Sequence, residues 1–291
     1  MCLFDVVSSR PGVAFPWVRV AAACRELGVA SLVDGAQGVG MVPLDLPAAD
    51  PDFFVSNCHK WLHVPRGCAL FYVPVRNQHL LPSTLATSNG YRPAAAAASP
   101  TPDRTPEREL GEPETTPTPR KKSHFEANFE YVGTKDNSPY LCVKDALAWR
   151  RDVLGGEHAI LAYLWRLNKQ GGRRVAAALR TRLLDNAAGT LTDCAMSNVA
   201  LPVWVGERGA ADEDDDHVEA PVVVAERHLD DVLAWAARAM VDDYRTYISL
   251  FRLRNRLWAR ISAQVYLGLD DYDTAARVLL DLSRRIGERW G

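Results

Sequence analysis

An aspartate ending one short apolar run and a lysine just past another are the residues whose types and spacing suggest chemistry. The first stretch reads SLVDGAQGVG from Ser31 to Gly40; after a short acidic link, DFFVSNCHK ends at Lys60, with Trp61 next. A lysine that follows a buried strand suits a Schiff base, because desolvation lowers the pKa of the amine and frees it as a nucleophile. An aspartate held beside it, here Asp34, can pair with a pyridinium nitrogen and keep it protonated, so that the ring draws electrons. The two residues together suggest pyridoxal 5'-phosphate as the cofactor.

Such a pair needs strands to hold it. LFDVVS (Leu3 to Ser8), ASLVDG, DFFVSN and CALFYVPV read as short strands, and their near-continuous apolar character suits a sheet covered on both faces. A helix is expected from Pro16, with Val20, Cys24 and Leu27 at helical spacing and Gly28 as its stop. Ligands of such sheets gather at the carboxyl ends of the strands, where Asp34 and Lys60 fall. The stretch from Arg92 to Lys122 is rich in Pro, Ala, Thr and charge, cannot bury enough apolar surface to offset ordering, and is expected to be a disordered insertion. Order is expected to resume at NFEYVGTKDNSPYLCV, a loop leading into a helix that carries Leu141, Leu147 and Leu154.

Beyond that lie a helix from Glu157 to Leu184, interrupted at Gly171 and Gly172, then strands over Met196 to Leu201 and Pro221 to Val224. A helix over Leu229 to Met240, strands near Thr246 to Phe251 and Trp258 to Ile261, and a terminal helix complete the chain. The acidic run Asp212 to Asp216 reads as a solvated hairpin tip, and Arg252, Arg254 and Arg256 as solvated strand residues.

Composition excludes several classes. The 291 residues carry a formal charge of -2, so no basic field recruits nucleic acid or anionic lipid. No apolar run reaches the roughly 20 residues of a membrane span, and Met1 to Ser8 is no signal peptide. The six cysteines show neither CxxC pairing nor zinc spacing; no metal site is expected, and reduced, buried thiols point to the cytoplasm.

DGAQGVG followed by DFFVSNCHKWLHVPRGCALFYV resembles the cofactor segment of the class V aminotransferase family of fold type I pyridoxal-phosphate enzymes. GTKDN (Gly133 to Asn137) and RISAQVY (Arg260 to Tyr266) resemble two further landmarks of that family, in the same order. Within it, FDVVSSRPGVAFP and NCHKWLHVPRGCALFYVPVRNQHL are most similar to fungal lyases acting on hercynylcysteine sulfoxide in ergothioneine biosynthesis. The resemblance implies an α/β fold. Its parts would be a partial large domain (1–91 and 124–150) of mostly parallel sheet with flanking helices, the insertion (92–123), and a C-terminal α+β small domain (151–291).

Roles follow by resemblance. Lys60 would anchor the cofactor and act as base at the substrate Cα, Asp34 would pair with the pyridine nitrogen, and Gln37 would bond the phenolic oxygen. Asn57 and His59 would reach the phosphate, and Thr134 the phosphate of a cofactor in a second subunit, which implies a homodimer. Arg260 would hold the α-carboxylate of an amino-acid substrate with two parallel hydrogen bonds. His63 and Arg66 flank the lysine, and a purely packing or surface role for each is as good a reading as a functional one.

The reaction implied is β-elimination: Lys60 removes the Cα proton, the sulfur substituent leaves Cβ, and pyruvate and ammonia follow. A desulfurase needs a nucleophilic cysteine shortly before the carboxylate-binding arginine, and none stands between Cys194 and Arg260. Epimerase and aminotransferase chemistry use the same residues and stay open. The family carries a segment ahead of the equivalent of Leu3 to Ser8 that cradles the phosphate and stacks on the ring. This chain is therefore expected to bind the cofactor weakly and turn over poorly, as a truncated form would.

Overall fold

The computed structural model describes residues 1–81, 122–130, 133–208, 218 and 221–291. Strand β1 (Cys2–Asp5) pairs in parallel with β2 (Ser31–Asp34), and β2 in parallel with β3 (Phe53–Asn57). Strand β4 (Ala69–Tyr72) completes a four-stranded sheet in the order β1-β2-β3-β4. Helix α1 (Trp17–Glu26) connects β1 to β2 and buries Trp17, Ala21 and Cys24 on one face. It stops where Gly28 takes φ +66°, a conformation that costs glycine little. A single turn, α2 (Leu46–Ala49), lies on the β2–β3 connection, its N-terminus capped by the Asp45 carboxylate.

Cover on both faces, expected from the apolar runs, is found in the middle of this sheet and fails at its sides. Val33 and Phe54 are fully buried, but Leu3 is 66% and Phe71 41% exposed. The reason is topological: β1 and β4 are the outer strands among the described residues.

The second sheet has the order β6-β5-β8-β7, built from β5 (Met196–Val205), β6 (Val222–Val224), β7 (Ser249–Leu253) and β8 (Arg256–Ser262). Strands β5 and β6 are parallel; β8 runs antiparallel to both β5 and β7. Every residue of β5 is buried. This is the expected α+β arrangement, but several details are corrected.

Two compact units divide the chain: 1–71 with 139–291, and 72–138. The second unit includes α3 (His124–Glu130), which takes in the first three residues of the loop expected from Asn128; Ser123 caps it, exchanging hydrogen bonds with Glu126 (2.7 and 3.2 Å). Helix α4 (Ser138–Asp152) carries Leu141 and Leu147, but Leu154 lies beyond its end. Helix α5 (Glu157–Leu179) runs through Gly171 and Gly172 without interruption. Both glycines serve close approach: a Cβ at Gly171 would stand 2.2 Å from the Tyr272 ring, and one at Gly172 2.7 Å from Ser197 Oγ. Helices α6 (Leu229–Tyr244) and α7 (Leu269–Trp290) complete the layer.

Strand β5 runs past Leu201 through Pro202, tolerated because the pairing with β8 shifts register between Ala200 and Trp204. There Arg256 is buried rather than solvated: its Nε donates to the Leu201 carbonyl (2.7 Å) and its guanidinium lies 4.2 Å from the Trp204 ring centre. Residues 92–121 of the expected insertion, and the acidic run 212–216, lie outside the described residues.

Candidate active site

Asp34 is the last residue of β2, and its Oδ1 accepts the Ala36 N–H (2.8 Å), which turns the chain sharply off the strand. Strand β3 braces that turn. The Gly35 N–H donates to the Val55 carbonyl (2.7 Å), and Ser56 Oγ donates to the Gly35 carbonyl (2.6 Å). Only glycine fits at position 35, where a Cβ would lie 2.1 Å from the Phe54 ring. Gln37 follows, buried, with its Oε1 accepting the Trp61 indole N–H (2.7 Å). That bond aims the amide nitrogen of Gln37 as a donor and joins the turn after β2 to the turn after β3.

The second turn carries Asn57, His59 and Lys60. Cys58 fixes its base, donating its N–H to the Cys68 carbonyl (3.0 Å) and accepting from Val64 N (3.1 Å). Asp34 and Lys60 thus stand past the carboxyl ends of neighbouring parallel strands. Lys60 itself is exposed, so the enclosure expected behind a buried strand is not found; the turn bends out to solvent at the strand end. His63, at φ +62°, packs edge-on against Trp149 (5.8 Å), which assigns it a packing role. Burial and the nearby Arg150 charge hold its pKa below the usual histidine value.

Arg150 was not singled out by the sequence reading. It is 1% exposed and donates to the Trp61 carbonyl (2.9 Å), the Gly40 carbonyl (3.1 Å) and both carboxylate oxygens of Glu157 (2.5 and 2.6 Å). A signal was present: Cys142, Val143 and Ala146 form the face of α4 packed on the Cys58–Cys68 core, and Arg150 follows at i+4 from Ala146.

Arg260 lies on β8, opposite Asn198 of β5. Its Nη1 donates to the carbonyl (2.8 Å) and hydroxyl (3.3 Å) of Ser9, in the loop that follows β1. Asn198, fully buried, closes the same link: its Nδ2 donates to the Gly12 carbonyl (2.9 Å) and its Oδ1 accepts the Gly12 N–H (2.8 Å). Burial and Arg10 push the Arg260 pKa down from its ordinary value. Arg260 also lines a cleft of about 260 Å³ with Tyr247, Ser262 and Tyr272. Thr134 is exposed and belongs to the second unit, after Gly133 at φ +79°. Asp5, another residue the sequence reading passed over, sits directly across from Asp34; burial and that neighbouring carboxylate raise its pKa.

Residues 2–95 match the aminotransferase class-V family model. Over 99% of this chain, the sequence is 35% identical to the L-cysteine desulfhydrase-like protein lolT2 of Epichloe uncinata, of which it spans 61%. It is 26% identical to the hercynylcysteine sulfoxide lyase of Schizosaccharomyces pombe over 95% of the chain and 57% of that protein. The chain therefore spans about three fifths of the length of these relatives. In three dimensions it is similar to the cysteine desulfurase CsdA of Escherichia coli, with a TM-score of 0.60 at 15% identity, covering 97% of this chain and 59% of that one. That likeness places the chain in the same fold as this desulfurase.

A class-V segment in this fold implies pyridoxal 5'-phosphate. The residues present fit that group. Asn57 Oδ1 and His59 Nδ1 are buried without a hydrogen-bond partner among the described residues, and both side chains leave the same strand end. The His59 ring nitrogen, as an N–H, can donate to a phosphate oxygen or to water, whereas the Asn57 oxygen can only accept. Among the described residues no cluster of three or more His, Cys, Asp or Glu side chains could hold a metal, and no helix is long and apolar enough to cross a membrane.

Proposed function

We propose that this protein is a pyridoxal-phosphate-dependent C–S lyase that eliminates the sulfur substituent from Cβ of a cysteine-derived amino acid. The observation that carries the reading is the gathering of Asp34, Gln37, Asn57, His59 and Lys60 on two linked turns, with a buried ring nitrogen of His59 free to donate. The relatives give it direction, one named for its likeness to an L-cysteine desulfhydrase and the other as a hercynylcysteine sulfoxide lyase.

When bound, pyridoxal phosphate supplies an electron sink for the pair released at Cα. Lys60 Nζ would anchor the cofactor until the substrate amine displaces it, and the freed amine, exposed beside the strand end, would then take the Cα proton. The carboxylate of Asp34 would hold the ring nitrogen, the amide nitrogen of Gln37 the phenolic oxygen, and a ring N–H of His59 with the amide nitrogen of Asn57 the phosphate. The forked guanidinium of Arg260 holds the α-carboxylate, braced by Ser9. As the proton moves to Lys60, the C–S bond breaks and its electron pair leaves with sulfur. The remaining enamine hydrolyses to pyruvate and ammonia. A sulfoxide substrate would depart as a sulfenate, which needs little acid assistance.

Thr134 serves the cofactor of a second copy in this reading, which makes the working form a homodimer, and free cysteines support a cytoplasmic setting. Hercynylcysteine sulfoxide and L-cysteine are the substrates to compare. With added pyridoxal phosphate, the protein is expected to release pyruvate from at least one of them, and Lys60→Ala to release none. Cα proton exchange with solvent but no pyruvate from either compound would replace the lyase reading with an epimerase.

A further inference from the structure

We propose that Arg150 is a positioning residue that locks the Lys60 turn against the Asp34–Gln37 turn. This rests on the reading of Lys60 as the cofactor-anchoring lysine. The guanidinium reaches both turns at once. One donor holds the carbonyl of Trp61, the residue after Lys60, and another holds the carbonyl of Gly40, three residues beyond Gln37. The remaining edge is gripped by the forked carboxylate of Glu157, the first residue of α5. A buried guanidinium is tolerated when it is paired and hydrogen-bonded, and each nitrogen of this one is bonded.

The surrounding contacts leave little slack. Gly40 takes φ +80°, and a Cβ there would stand 2.8 Å from the Trp61 carbonyl oxygen, so the two turns touch backbone to backbone. The Trp61 indole holds Gln37, and the Trp165 indole holds the next carbonyl along, Met41 (3.0 Å). Ser56 Oγ also touches both turns, at the Gly35 and Asn57 carbonyls beside β3 (2.6 and 3.5 Å); Arg150 ties their far ends, at Gly40 and Trp61. Lysine at this position keeps the charge but cannot span two carbonyls and a carboxylate, because it lacks the planar fork. The clamp fixes where the Lys60 amine stands relative to Asp34 without touching either side chain.

The test compares the full chain with Arg150→Lys and Glu157→Gln by hydrogen exchange, first without cofactor. Loss of a charge-assisted bond to a buried carbonyl predicts exchange about tenfold faster at Met41, Val42, Leu62 and Val64, with the amides of β5 unchanged. Unchanged exchange in both turns, or equal acceleration through β5, would overturn the proposal. Should Arg150→Lys fail to fold, Glu157→Gln carries the test, since half of the Glu157 side chain is exposed and its replacement leaves Arg150 in place. The second arm measures borohydride fixation of pyridoxal phosphate on Lys60, with Lys60→Ala as control. The clamp predicts fixation slowed about tenfold in Arg150→Lys, which loses the carbonyl bonds, and slowed in the same direction in Glu157→Gln, which loses the charge that holds Arg150 on them. Normal fixation in both variants, with none in Lys60→Ala, would sink the clamp and leave the lyase reading standing. Fixation that persists in Lys60→Ala, with the two turns loosened as expected, would sink the assignment of Lys60 and leave the clamp.

Discussion

Asp5 and Asp34 end adjacent parallel strands side by side, two carboxylates in register at the edge of the candidate site. The folded-state pKa of Asp5 is raised, first by burial and then by Asp34. The folded protein therefore binds more protons than the unfolded chain as pH climbs through the carboxylate range, and the stability Asp5 contributes at low pH is lost as it ionises. Asp5→Asn is expected to raise the urea midpoint at neutral pH, through a gain in unfolding free energy of under about 1 kcal/mol given partial exposure. Well below the carboxylate range it should change little. A lowered midpoint at neutral pH would count against the repulsion. At Arg260, Lys keeps the charge and loses the fork, so KM for the amino acid should rise about tenfold while cofactor occupancy holds. Equal loss of cofactor would assign Arg260 to the fold instead. Burial pushes the thiols of Cys58 and Cys194 up to about 11. Both should resist iodoacetamide at mildly alkaline pH while the part-exposed Cys2 and Cys142 are labelled, as read by peptide mass spectrometry.

At the scale of elements, α5 shows how a sequence signal can be read with the wrong sign. Gly-Gly inside a helix usually marks a break, and replacing a helical glycine with alanine usually stabilises by up to about 1 kcal/mol. Here the ring of Tyr272, itself buried, lies where the Gly171 side chain would stand. Gly171→Ala should therefore destabilise by about 1–3 kcal/mol through overpacking. A denaturant titration decides it: an unchanged or higher midpoint would mean that α5 and α7 separate without cost.

Across the whole first unit, the loop after β1 is the link between the two sheets. Asn198 of β5 grips the N–H and carbonyl of Gly12, and Arg260 of β8 grips Ser9. Gly12 has no room for a side chain, with Met196 Cβ 3.0 Å and Arg260 Cδ 3.1 Å from where its Cβ would be. Asn198→Ala strands both backbone groups in a buried site and should cost about 3 kcal/mol of unfolding free energy. Because the same loop braces Arg260, the variant should also weaken amino-acid binding, measurable by calorimetry. A loss of stability with intact binding would show that Ser9 holds Arg260 unaided.

Local chemistry made part of this protein legible from its sequence. Asp34, Gln37, Asn57, His59 and Lys60 lie within one stretch whose strands, turns and glycines follow rules spanning a few residues. The alternation of strand and helix ahead of them, and the α+β character of the later half, were readable for the same reason. What the sequence did not yield depends on partners far along the chain. Arg150 bonds carbonyls 89 and 110 residues away, and Asn198 bonds Gly12 across 186. An arginine on an apolar helix face and an asparagine in a buried strand look like errors of patterning until those partners are known. The same holds for Gly171, whose meaning is set by a tyrosine on another helix, and for Arg256, buried by a register shift in β5. Composition and periodicity encode which face of an element is apolar; which buried polar group finds a partner is decided only when the elements pack.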